Sequence, residues 1–70
     1  MQAGQSLVGT SPYCYTAKIK GTLSELITQL HQGIHDVNEP KAQALFETSA
    51  EVLKGLLTAY IHYDQQSNQT

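Results

Sequence analysis

The residues of this sequence best suited to metal chemistry are two histidines with a helical spacing. His31 and His35 are four residues apart, so a helix would place both imidazoles on one face, as a pair of metal ligands requires. The nearest candidate carboxylates, Glu47 and Glu51, share a face of the next predicted helix that points away from its apolar side. Within one chain these four side chains cannot meet. We therefore interpret the histidines as solvated residues at the edge of an apolar stripe and predict no cofactor, with a metal or ligand site shared between subunits as the alternative.

The single cysteine offers a nucleophile without the groups that activate one. Cys14 lies between two tyrosines and has no histidine or acid near it in the sequence. Glycine-rich phosphate loops, zinc-binding cysteine pairs and nucleophile elbows are also absent from the sequence, which predicts that this protein is not an enzyme. One cysteine excludes an intrachain disulfide, and residues 1–10 lack the basic start and apolar run of a signal peptide, so we expect a cytoplasmic protein.

Charge and hydropathy narrow the classes of partner. The net charge is -2, and the closest pair of basic residues is Lys18 and Lys20, which argues against binding to nucleic acid or to an anionic membrane surface. The sequence holds no run of about twenty apolar residues that could span a bilayer. We expect neither nucleic acid nor membrane as a partner, which leaves other proteins, including further copies of this chain.

The segment from Lys41 to Asp64 carries the widest apolar surface in the sequence. At 100° per residue, its apolar positions cover roughly 180° of a helix, which is more than one neighbouring helix can bury. The pattern therefore predicts a helix over residues 39–64 with two contact faces. The positions in this arc are Ala42, Leu45, Phe46, Ser49, Val52, Leu53, Leu56, Leu57, Tyr60, Ile61 and Tyr63.

A shorter helix is predicted before it, over residues 23–37. The run from Thr22 to Glu25 has the pattern of a capping box, which marks a helix start. The apolar positions that follow form a stripe of roughly 100°, typical of a helix with one neighbour. Gly33 lies beside this stripe, where either a close backbone approach or simple tolerance of glycine would account for it.

A break at residues 36–40 separates the two predicted helices. We expect Asn38 to be the N-cap and Pro40 to occupy the first turn of the second helix, because proline disfavours a helical residue before it and suits a helix start. So short a connection predicts an antiparallel helical hairpin over residues 22–66. Residues 67–70 are polar and are predicted to form a disordered tail.

Residues 1–21 are expected to form an extended arm. Between residues 13 and 19 apolar and polar residues alternate, which is the period of a half-buried strand. A second interpretation takes Ser11 as N-cap and Pro12 as the first-turn residue of one long helix that runs to Val37. Gly21 and the capping box that follows it favour the arm.

The predicted helices differ in length, and this difference suggests an assembly. The first helix would reach back only to Leu53, so residues 54–64 would overhang by roughly 15 Å at 1.5 Å per residue. A homodimer that closes into a four-helix bundle is the simplest way to cover them.

The sequence thus predicts an all-α fold, a two-helix antiparallel hairpin with an N-terminal arm. Its predicted function is that of a small self-associating interaction or adaptor protein. Two alternatives remain open: a metal- or ligand-binding bundle that uses His31 and His35 across subunits, and a subunit or regulator in a hetero-complex. The residues expected at the oligomer interface are Phe46, Ser49, Leu53, Leu56, Leu57, Tyr60, Ile61 and Tyr63.

Overall fold

Two long α-helices make up the part of the chain that the computed structural model describes, residues 12–68. Helix α1 is Pro12–Asp36 and helix α2 is Pro40–Asn68. Residues 37–39 connect them. The predicted all-α helical hairpin is confirmed. Helix α2 continues past its predicted end at residue 64, so residues 67–68 are helical and not part of a disordered tail as predicted. Residues 1–11 of the predicted arm and residues 69–70 of the predicted tail lie outside the described residues.

The strand predicted over residues 13–19 is wrong, because these residues form the first turns of α1. The alternative of one long helix with Pro12 in its first turn is the arrangement observed. Thr16 and Leu23 are seven residues apart, share one side of α1 and are both buried against α2, whereas Tyr13 and Tyr15 are exposed. The structure of residues 13–19 is therefore determined by the contact of one helical face with α2, and not by their alternation of apolar and polar residues.

The helix start predicted at Thr22 is also wrong, since α1 continues through it. The Thr22 hydroxyl donates to the carbonyl of Lys18 at 3.1 Å, one turn earlier, instead of capping a new helix. Gly21 has ordinary helical backbone, as no glycine among the described residues has a positive φ. A glycine in a helix interior costs up to about 1 kcal/mol, which a helix of this length can tolerate.

Glu39, and not the predicted Asn38, is the N-cap of α2. The Glu39 carbonyl accepts the first bond of the helix from the Gln43 amide at 3.0 Å. Its carboxylate accepts from the amides of Ala42 at 2.8 Å and Lys41 at 3.3 Å. A negative group here also faces the positive end of the helix dipole. Pro40 occupies the first turn, as predicted.

The antiparallel order follows from two contacts at opposite ends of the hairpin. Near the turn, a Cβ built on Gly33 would lie 3.0 Å from two ring atoms of Phe46, so the ring rests against the bare backbone of α1. At the open end, Thr16 bonds to Asp64. Gly33 therefore permits a close approach of the two helices.

The overhang predicted for residues 54–64 does not exist. Because α1 begins at Pro12, it extends along α2 as far as Asp64. The hairpin nevertheless has little interior. Among residues 12–66 the buried apolar residues are Leu23 and Ala50, and no large side chain is fully enclosed.

Alanine substitutions at Gly21 and Gly33 separate helix propensity from packing. A Cβ at Gly21 meets nothing within 4 Å, so we expect Gly21→Ala to raise the free energy of unfolding by up to about 1 kcal/mol. At Gly33 the ring of Phe46 must move to admit the methyl group, so Gly33→Ala should give a smaller gain or a loss. Urea unfolding followed by circular dichroism, at one fixed protein concentration, measures both changes. Equal gains at the two positions would contradict the close contact with Phe46.

Candidate interaction surface

The residues proposed for metal and nucleophile chemistry are exposed on the outside of the hairpin. His31, His35 and Cys14 are exposed on α1, and Glu47 and Glu51 are exposed on α2. Within the described part of the chain, no three His, Cys, Asp or Glu side chains are grouped as a metal site needs. The hairpin therefore does not gather these side chains into a group of three that could hold a metal ion.

A polar clamp of three residues joins the open ends of the helices. The Thr16 hydroxyl donates to Oδ1 of Asp64 at 2.9 Å and also lies 3.2 Å from the carbonyl of Tyr13. The Lys20 ammonium lies 2.5 Å from Oδ2 of Asp64. Thr16 and Asp64 are both buried, and a buried polar side chain needs a hydrogen-bond partner, which each of them has in the other.

The polar clamp lowers the pKa of the Asp64 carboxyl below its ordinary value of 3.8. The largest cause is the hydrogen bond from Lys20, which favours the ionised form. Desolvation acts in the opposite direction, while the Thr16 hydroxyl and the positive charge of Lys20 lower the pKa further. Asp64 is therefore an ionised structural residue at neutral pH.

Helix α2 presents two apolar seams, of which only one meets α1. The inner seam has residues spaced alternately by four and three along the chain, and they face α1; its members are Phe46, Ala50, Leu53, Leu57, Tyr60 and Asp64. A second row of residues has the same spacing, and each of its members lies one position before a member of the inner seam. We call this second row the α2 stripe. The α2 stripe consists of Leu45, Ser49, Val52, Leu56, Ala59 and Tyr63.

The α2 stripe is turned about 100° from the inner seam, the rotation of one helical residue. Its large side chains remain exposed, with 61% of Leu45, 65% of Val52, 43% of Leu56 and 45% of Tyr63 accessible. A four-three spacing of this kind is the pattern with which helices pack along their length. The α2 stripe therefore has the form of a helix-packing surface without a partner in the hairpin.

Helix α1 adds a second exposed row on the same side of the hairpin. Tyr15 and Leu26 of α1 and Val37, the residue directly after α1, are spaced by eleven residues and are exposed; we call them the α1 stripe. The Val37 amide still donates to the Gly33 carbonyl at 2.9 Å, so Val37 continues the last turn of α1. A groove of about 450 Å³ connects the two stripes, lined by Leu26 and Leu30 of α1 and by Thr48, Ser49, Val52 and Leu53 of α2. A second groove, of about 310 Å³, is lined by Thr16, Ala59, Tyr60 and Tyr63. The two stripes and the grooves between them form one apolar face.

The apolar face is free of charge. At 100° per residue, the side of α2 that carries its stripe has no Lys, Asp or Glu between residues 45 and 63, and the same holds for α1 between residues 15 and 37. The charged residues Lys18, Glu25, Asp36, Glu47, Glu51 and Lys54 lie on the other sides. Depletion of charge from an apolar patch is typical of the core of a protein interface.

The residues predicted at an oligomer interface divide between the inside and the outside of the hairpin. Leu56 and Tyr63 belong to the exposed α2 stripe, and Ser49, Leu53 and Tyr60 line the grooves. Phe46 and Leu57 belong to the inner seam, and Ile61 is exposed away from the apolar face. The prediction omitted Leu45 and Val52, the two most exposed large side chains of the α2 stripe, and all of α1. The four-three spacing in the sequence would have identified the missing residues of α2.

Comparison with protein families, curated proteins and solved structures finds no match to this chain. Neither helix of the described residues is long and apolar enough to cross a membrane. The interpretation of the apolar face therefore depends on its own geometry.

The polar clamp predicts a pH dependence of stability. The pKa of Asp64 is lower in the folded chain than in the unfolded one. The stabilisation of the fold by ionised Asp64 is therefore fully present above pH 3.8, and it is lost as the pH falls through the pKa of Asp64 in the folded chain. We expect Asp64→Asn to lower the thermal midpoint at pH 7, because asparagine cannot pair with the charge of Lys20. The difference from wild type should shrink below pH 3.8.

Glu51→Gln is the matched control for this measurement. Glu51 lies 3.5 Å from Lys54 in an exposed ion pair, which contributes little to stability. We expect a small change in the thermal midpoint at pH 7. If Asp64→Asn lowered the midpoint equally at pH 7 and pH 2.5, the effect would not come from the charge of Asp64.

Proposed function

We propose that this protein is a small self-associating interaction protein that pairs through its apolar face into a four-helix bundle and has no catalytic activity of its own. The observation that carries the proposal is the charge-free apolar face, which both helices contribute on one side of a hairpin with almost no interior. A second hairpin laid against this face would give each helix a second neighbour. The inner seam and the α2 stripe would then both be buried.

The size of the apolar face supports a stable pairing. It has seven exposed large side chains: Tyr15, Leu26, Val37, Leu45, Val52, Leu56 and Tyr63. At about 100 Å² each they offer roughly 700 Å² per chain. Two chains would bury about 1,400 Å², within the range of about 1,200 to 2,000 Å² found for specific interfaces.

The position of the histidines does not favour the metal-binding alternative. His31 and His35 project from the side of α1 opposite the α1 stripe, about 140° and 180° from Leu26 at 100° per residue. Pairing through the apolar face would leave them on the outer surface of the bundle. The face itself contains no histidine, cysteine or carboxylate, so it offers hydrophobic contact and no reaction chemistry.

Light scattering across a dilution series, with circular dichroism on the same samples, tests the proposal. We expect a dimer whose helix content falls as it dissociates, because the single hairpin buries so little. A stable, fully helical monomer at every concentration would refute self-association. A chain that is poorly folded or aggregated when purified alone would instead favour the hetero-complex.

Aspartate substitutions on opposite sides of α2 locate the surface involved. Leu56 belongs to the α2 stripe, so Leu56→Asp should dissociate the dimer at a cost of several kcal/mol, since it buries an unpaired charge. Thr58 is exposed on the polar side, and Thr58→Asp should change little. Light scattering and thermal unfolding measure both effects.

Val52→Asp is a control for loss of the dimer through misfolding of the hairpin. Val52 is the most exposed large side chain of the apolar face, so a charge there remains in water within a single chain. We expect this variant to become monomeric with a smaller loss of hairpin stability than Leu56→Asp. Dimers in both Val52→Asp and Leu56→Asp would exclude the apolar face as the surface of association.

A further inference from the structure

We infer that the partner on the apolar face is a second copy of this chain related by a two-fold axis that crosses both helices at the level of Leu26 and Lys54. In this dimer α2 lies antiparallel on the partner's α2, and α1 lies antiparallel on the partner's α1. The inference depends on the proposed self-association and adds its orientation and register.

The α2 stripe is symmetric about Lys54 in position and in side-chain size. Val52 and Leu56 lie two residues before and after Lys54, and the small residues Ser49 and Ala59 lie five before and after. A two-fold axis across the helix pairs residues at equal distances from its centre. It would place Val52 on the partner's Leu56 and Ser49 on the partner's Ala59, so that small side chains meet and the helices can approach.

The ends of the α2 stripe obey the same symmetry. Leu45 lies nine residues before Lys54, and Tyr63 lies nine residues after it. Leu45 would therefore meet the partner's Tyr63 at each end of the interface. Each of the six positions of the α2 stripe would face an uncharged residue of the partner's α2 stripe. Lys54 itself projects from the other side of α2.

The α1 stripe is symmetric about Leu26. Tyr15 lies eleven residues before Leu26, and Val37 lies eleven residues after it. An axis at this level would place Leu26 on the partner's Leu26, and Tyr15 on the partner's Val37. All three exposed residues of the α1 stripe are thereby covered.

The two centres of symmetry lie at one level of the hairpin. Thr16 is ten residues before Leu26, and its partner Asp64 is ten residues after Lys54. Gly33 is seven residues after Leu26, and Phe46, which contacts it, is eight residues before Lys54. The centres thus agree to within one residue, or about 1.5 Å along a helix. A single axis can serve both stripes, and this coincidence carries the inference.

A two-fold axis parallel to the helices is the competing arrangement. It would stack α1 on the partner's α2 and would require neither stripe to be symmetric about its own centre. The axis across the helices pairs each member of a stripe with a member of the same stripe, and it uses the common level of the two centres. The two arrangements bring different residues together, so cross-linking distinguishes them.

Cysteine cross-linking at Leu26 tests the position of the axis. The variant Leu26→Cys is made in a Cys14→Ser background, because Cys14 is exposed and would react. A disulfide forms only when the two Cα atoms come within about 7 Å. After mild oxidation we expect most Leu26→Cys chains to run as disulfide-linked dimers on a non-reducing gel.

Tyr15→Cys in the same background is the matched control. The inferred axis holds the two copies of this position about 33 Å apart, since 22 residues separate Tyr15 from Val37 at 1.5 Å each. Tyr15→Cys alone should not cross-link at concentrations that keep the dimer intact. Mixing it with Val37→Cys chains should give a linked heterodimer, which checks the inference without altering Leu26.

Light scattering before oxidation separates the failure of the inference from the failure of the proposed function. A monomer would overturn both. A dimer in which Leu26→Cys does not link to itself, but links to Val52→Cys chains, would retain the proposed function and show the axis parallel to the helices. A third outcome is a dimer in which Leu26→Cys links neither to itself nor to Val52→Cys, and Tyr15→Cys does not link to Val37→Cys. This outcome would overturn the inferred axis and leave the proposed self-association standing.

Discussion

A hairpin of two helices is a layer only one helix thick, and this limit governs the rest of the structure. Each side chain of such a layer has neighbours on one flank, so even a well-placed leucine keeps part of its surface in water. Among residues 12–66 the buried residues are Leu23, Ala50, Thr16 and Asp64, two of which are polar. Ordering helices of 25 and 29 residues costs much conformational entropy, which one thin seam offsets poorly. The additional burial is available on the apolar face.

The register between the helices is fixed at both ends of the hairpin. At the open end, the polar clamp satisfies Asp64 only when Thr16 and Lys20 lie opposite it. Near the turn, the ring of Phe46 rests against Gly33 of α1, where a Cβ would lie 3.0 Å from two ring atoms. Desolvation offsets much of the attraction within a buried polar pair, so we interpret the polar clamp as a contact that fixes the register more than one that adds stability. The same register brings the two stripes to a common level, so contacts inside the hairpin determine the shape of its outer face.

The sequence predicted the break between the two helices and the hairpin that they form, although it placed the caps at Thr22 and Asn38 wrongly. Pro40 begins α2, and the apolar period indicates a helix on each side of residues 37–39, so the hairpin followed. The beginning of α1 was not predictable in the same way. Residues 13–19 alternate like a strand, and Thr16 is recognisable as an inward-facing helical residue only through Asp64, 48 positions away. A tertiary contact therefore overrode the local pattern, and the overhang inferred from a short first helix disappeared with it.

The candidate surface was harder to predict because a wide apolar arc does not say which half the hairpin uses. Leu56 and Leu57 are adjacent and equally apolar, yet one faces outward and the other faces α1. Only the position of α1 distinguishes the α2 stripe from the inner seam. The outer surface consists of the apolar residues of α2 that do not face α1. What remains is uncharged, and the charges along its edges lie outside the contact area. Such a surface meets no electrostatic penalty when it faces its own copy, whereas a partner of another kind would have to supply an equally uncharged face of the same length.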